Sequence, residues 1–183
     1  MNKSITEQDY QGKKYTLRGN KWVDENYMVA PSSIQSELNH LNFSEEVLNE
    51  TDIGKLIEYG DRYKNSSSIA LAIKCYRSAI ELAELKNENE IRYILPRLTS
   101  CLRDQGKPDV VIEIFSSVKK KYGKMIFNPA LLTSVAAAYC DLQEYGNAKK
   151  CCDHAFALSG GKASGELMSV YSRIKKETNS KDD

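Results

Sequence analysis

One spacing recurs three times along this chain and limits what it can fold into. Gly60, Tyr63, Ala72, Tyr76 and Ala79 are separated by steps of three, nine, four and three residues. The same steps separate Thr99, Leu102, Val111, Phe115 and Val118, and again Ala136, Tyr139, Ala148, Cys152 and Ala155. Each unit places a small and a large residue on one helical face, leaves a gap, and then sets small, large and small at helical spacing. Two antiparallel helices in close contact require that order, because small side chains let the backbones approach and large ones fill the remaining space. The chain is therefore an internal repeat of helix pairs.

On these residues the units resemble the tetratricopeptide repeat. That family carries a Gly or Ala and a Tyr in its first helix, then Ala, an aromatic and Ala in its second. Tyr59-Gly60, Tyr63, Ala72, Tyr76 and Ala79 match completely, while the third unit puts Cys152 at the aromatic site. The middle unit is the most degenerate, with Thr99, Val111 and Val118 at the small positions. Corresponding positions lie 39 and then 37 residues apart, against ~34 in the family, so extra residues fall around Glu84 to Glu90 and Lys121 to Asn128. The resemblance spans roughly residues 52 to 176. It implies an all-α, right-handed α-α superhelix of TPR-like helix pairs, and a use in holding other proteins.

The expected pairs are 52–64 with 68–86, 90–105 with 108–122, and 129–142 with 145–158. Thr51 or Asp52 caps the first helix. Pro108 and Pro129 occupy first helical positions, where a missing N–H is harmless, and Gly106 and Gly123 suit helix ends. A last helix, about 163–176, turns Leu167, Val170, Tyr171 and Ile174 inward and Arg173, Lys175, Lys176 and Glu177 to water, as an end cap requires. The repeat domain with its cap is placed at 51–177, and 178–183 are expected to be a disordered tail.

The first 31 residues differ in texture. Gly19-Asn20 between Lys13–Arg18 and Lys21–Asp24 is a two-residue hairpin signal, which sets Leu17 opposite Trp22, Tyr15 opposite Asp24, and Thr16 opposite Val23. An isolated hairpin is marginal in water, so its Tyr15, Leu17 and Trp22 face should pack on something, the helical body being nearest. An extended arm to Pro31 follows. Ser32 or Ser33 then caps a short helix to about Leu41, and a connector completes residues 32–50.

With 183 residues the chain suits one compact domain or one short solenoid. A formal net charge of +1 offers no field for nucleic acid or an anionic membrane. The N-terminus lacks the apolar core of a signal peptide, no run is apolar enough for a membrane span, and five cysteines fit a reducing compartment. A cytoplasmic protein is expected.

No catalytic set converges. Cys151, Cys152 and His154 fall short of metal spacing, since only Cys151 and His154 can share a face, and no metal or cofactor is expected. Gly160-Gly161-Lys162 fails as a phosphate loop, with Ala163 after the lysine and Phe156 at the first glycine site. Lys119-Lys120-Lys121 reads as a solvated helix end that complements the dipole.

The resemblance also implies a concave groove lined by the first helices. Its lining would be Ile57, Asp61 and Lys64, then Tyr93, Pro96, Arg97, Ser100 and Arg103, then Ala130, Thr133, Ser134, Ala137 and Asp141. Among the positions that grip chaperone tails in one subset of the family only Arg97 is suitable, and Asp61 would repel an acidic tail. The expected function is a non-enzymatic adaptor or scaffold for a protein segment. The alternatives are a homo-oligomerising structural protein or a sensor whose groove holds its own N-terminal segment.

Overall fold

The computed structural model describes residues 7–41, 47 and 50–179. The chain divides into two compact units, Met1–Leu82 and Ala83–Asp183.

Unit 1 opens with a sheet of three antiparallel strands in the order β1 (Glu7–Tyr10), β2 (Lys13–Arg18) and β3 (Lys21–Val23). The β2–β3 register pairs Leu17 with Trp22 and Thr16 with Val23. At the turn Gly19 alone has positive φ, +62°, the pattern of a type II′ turn. The expected hairpin thus gains a strand: Gln11 and Gly12, both at positive φ, close a second tight turn and pair β1 with β2. Beyond β3 the chain doubles back, and a bridge between Val23 and Val29 carries it to Ala30.

Helix α1 (Ser32–Leu41) lies on this sheet. Tyr15, Trp22, Ala30 and Leu38 form its buried core, with Tyr10, Leu17 and Ile34 packed around them. The cover of the hairpin face is therefore α1, not the repeat helices. Two amides one turn apart on α1 fix the arrangement. Gln35 accepts from the Trp22 N–H at 2.9 Å and donates to the Trp22 and Ala30 carbonyls. Asn39 accepts from the Trp22 indole at 2.8 Å and donates to the hydroxyls of Ser66 (2.6 Å) and Ser68 (2.9 Å). The connector after α1 lies largely outside the described residues.

Ser66 and Ser68 join α2 (Ile53–Asn65) to α3 (Ile69–Lys86). Asp52 is the N-cap of α2, accepting from the Lys55 N–H. Within unit 1 these helices approach at Gly60, where a Cβ would lie 2.4 Å from the Tyr76 ring. The small-opposite-large rule of the repeat is thus met by contact.

Unit 2 holds α4 (Ile91–Asp104), α5 (Pro108–Tyr122), α6 (Pro129–Asp141), α7 (Tyr145–Leu158) and α8 (Gly165–Asn179), with short 3-10 turns before α4 and after α5. Pro108 and Pro129 are first helical residues. Pro96 lies inside α4 and has no N–H for the Arg92 carbonyl one turn back. The Asn128 side chain supplies that donor, at 2.5 Å, while its Oδ1 caps α6 at the Leu131 N–H. Helix α6 packs against α4, α5, α7 and α8, and every residue from Leu131 to Ala138 is buried. Helix α8 runs through Thr178 and Asn179, two residues into the segment expected to fray, and 180–183 lie outside the described residues.

Candidate functional site

Helix α4 buries Ile91, Ile94, Leu95, Leu98, Cys101 and Leu102 and turns a different face outward. On that face Tyr93 is 52% exposed, a large fraction for an aromatic ring. The Arg97 guanidinium donates to the Tyr93 carbonyl at 2.8 Å, and that of Arg92 lies 5.0 Å from the Tyr93 ring centroid. Ser100 and Arg103 continue along α4, half-buried.

Arg103 reaches α6. Its Nε donates to Asp141 Oδ2 at 2.9 Å, and Arg173 Nη2 of α8 donates to Asp141 Oδ1 at 2.8 Å. The shared carboxylate holds the Arg173 guanidinium above its ordinary pKa, mainly through this hydrogen bond. Sequence reading assigned Arg173 to water on a capping helix; no local signal pairs it with residues 32 and more positions away.

Three expected lining residues need correction. Ser134 and Ala137 are 3% and 2% exposed, and Thr133 is buried with its hydroxyl on the Pro129 carbonyl. The small residues of α6 let four helices close around it, so both of its sides are covered; only Ala130 and Asp141, at its ends, stay exposed. A helix apolar or small all round signals this burial in the sequence. In unit 1, Ile57, Asp61 and Lys64 are half-buried along α2, and Asp61 accepts from the Tyr76 hydroxyl at 2.6 Å.

The reactive-looking residues have packing roles. His154 meets Phe127 edge-on at 5.5 Å, and Phe127 stacks on Phe115 at 5.6 Å. Cys75, Cys101, Cys140 and Cys152 are buried thiols and Cys151 is half-buried. Burial pushes the thiols of Cys75 and Cys152 up to about 12, far from the thiolate range that nucleophilic chemistry needs. Among the described residues no group of three or more His, Cys, Asp or Glu side chains could hold a metal ion. Lys121 is tied to Glu84 at 2.9 Å, with the Tyr122 hydroxyl on the same carboxylate. Gly160 and Gly161, both at positive φ, end α7 and form a linker. No helix among the described residues is long and apolar enough to cross a membrane.

Successive helix pairs, the first of which meets through a small-opposite-large contact at Gly60 and Tyr76, preceded by a small antiparallel sheet, define an all-α, TPR-like fold. A solved structure shares it: the Sgt2 TPR domain from Aspergillus fumigatus matches over 71% of this chain and 81% of that one, with a TM-score of 0.58 and 16% sequence identity. At that identity the likeness is one of fold. No family model matches the chain, and no curated protein matches it in sequence.

Proposed function

We propose that this protein is a non-enzymatic adaptor or scaffold of the cytosol that holds a segment of one protein partner. In unit 2 the contacting face is that of Tyr93, Arg97, Ser100, Arg103, Ala130 and Asp141; in unit 1, Ile57, Asp61 and Lys64 are the candidates on α2. The fold supports the class, since TPR-like helix pairs serve chiefly as interaction modules. The observation that carries the reading is Tyr93, a half-exposed aromatic with the Arg92 guanidinium at its ring and Arg97 on its main-chain carbonyl. Tyr and Arg are the residue types enriched where binding energy concentrates.

The self-inhibited alternative loses its motive, because the hairpin face is already covered by α1. The test is affinity capture from the native host with the full-length protein and with a Tyr93→Ala, Arg97→Ala variant of unchanged melting temperature. A single stoichiometric partner, lost with the variant, supports the adaptor. Recovery of the protein alone makes self-assembly the better account, and a partner retained by the variant moves the site off α4.

A further inference from the structure

Asp141 serves two arginines at once, and the charge does not balance. One carboxylate lies between Arg103 and Arg173, whose side chains are 21% and 43% exposed, so the cluster is net positive. A guanidinium has five N–H donors. Each spends one on Asp141, and among the described residues neither has another hydrogen-bond or ion-pair acceptor. Both long side chains are already fixed from two helices by the same carboxylate. A ligand meeting them there forgoes much of the ordering cost that a free arginine imposes.

We propose that Arg103 and Arg173, oriented by Asp141, receive a carboxylate side chain of the bound segment, so that the partner is an acidic peptide with an Asp or Glu at a fixed position. This rests on the reading of the α4 face as a partner-binding surface. The chemistry suits a carboxylate, which accepts charge-assisted hydrogen bonds from guanidinium N–H groups, and each arginine keeps donors beyond the one it gives Asp141. A lysine on the partner would meet two positive charges and one negative.

The rival account is that the cluster only fastens α4, α6 and α8 together. A random peptide library displayed on phage is panned against the full-length protein, and the selected peptides are measured by fluorescence anisotropy. The expected peptides share an Asp or Glu at one register position. Changing it to Asn or Gln weakens binding about tenfold, the worth of one charge-assisted hydrogen bond at a partly exposed site. An Arg103→Gln, Arg173→Gln variant loses the same factor for the acidic peptide and nothing further for the neutral one.

Indifference to the acidic position overturns the proposal, and that measurement needs only the wild-type protein. An Arg103→Gln, Arg173→Gln variant that weakens the acidic and the neutral peptide alike also overturns it, in favour of the fastening role. Peptides that depend on Tyr93 but carry no acidic preference leave the adaptor reading standing and defeat this inference; no enriched peptide at all defeats both.

Discussion

Replacing Gly60 by alanine tests whether the repeat is held by contact at its smallest position. A Cβ there would lie 2.4 Å from Tyr76 Cε1 and 2.8 Å from Cδ1 and Cζ. Ordinary van der Waals separation begins near ~3.4 Å, so either the ring or the helix must move by about 1 Å. The ring is poorly placed to yield, being fully buried with its hydroxyl on Asp61 at 2.6 Å. Overpacking of this kind destabilises by about 1–3 kcal/mol, and loosening the Tyr76–Asp61 hydrogen bond adds about 1 kcal/mol. Against this, alanine is a better helix former than glycine by about 1 kcal/mol. The net expectation is a loss of about 1–3 kcal/mol.

Trp22, the chain's only tryptophan, is buried in unit 1, so urea unfolding followed by its emission reports on the unit that carries the change. Gly146→Ala is the control, since nothing lies within 4 Å of its Cβ; followed by circular dichroism, it should stabilise by up to about 1 kcal/mol. Tyr76→Leu completes a double-mutant cycle in which the Gly60→Ala penalty shrinks. If Gly60→Ala behaves as Gly146→Ala does, or costs the same with and without the Tyr76 ring, the reasoning is wrong.

Asn39→Ala should strip the acceptor from the Trp22 indole and the donor from Ser66 and Ser68. The expected loss is roughly 2–4 kcal/mol with a red-shifted Trp22 emission; unchanged emission would contradict the assigned role. Asn128→Asp keeps a good N-cap for α6 but sets an acceptor against the Arg92 carbonyl. It should lower stability by roughly 1–3 kcal/mol, and a neutral result in a thermal melt would count against the account of Pro96. Glu84 is held below its ordinary carboxylate pKa of 4.5 by its hydrogen bonds to Lys121 and Tyr122, and Asp153 below its ordinary 3.8 by those to Lys149 and Tyr171. Because both folded values are depressed, their stabilising effect is present above the unfolded pKa and lost as pH falls through the folded one. A Glu84→Gln variant should therefore show a flatter acid limb below about pH 4.5, and an unaltered limb in pH-dependent urea melts would refute the assignment.

What the sequence made legible was local. Helix-pair spacing, the Asp52 cap, the two N-terminal prolines and the Gly19 turn each depend on residues a few positions apart, where backbone geometry dictates the neighbour. Strand β1 was not legible, because Glu7-Gln8-Asp9-Tyr10 has no apolar alternation and Gln11-Gly12 is not among the strong turn pairs. The contacts of Arg173 and the burial of Ser134 were not legible either, since periodicity shows which face of a helix is apolar and not which other helices close over it.

The junctions that escaped sequence reading share one chemistry. Gln35, Asn39 and Asn128 each accept on one side and donate on the other, joining elements that apolar patterning treats as separate. A primary amide offers a donor and an acceptor on separate atoms without charge. At Asn128 this lets one residue cap a helix and supply the donor that a proline in another helix lacks. Apolar periodicity alone would have ranked Asn39 and Asn128 as surface positions, yet they fix how α1 meets β3 and the α2–α3 turn, and how α6 meets α4. The partner-facing residues of α4 depend on that second junction, because Arg92, whose carbonyl Asn128 holds, also carries the guanidinium beside Tyr93. A substitution at Asn128 should thus weaken partner binding as well as stability, although its side chain lies outside the proposed contact face.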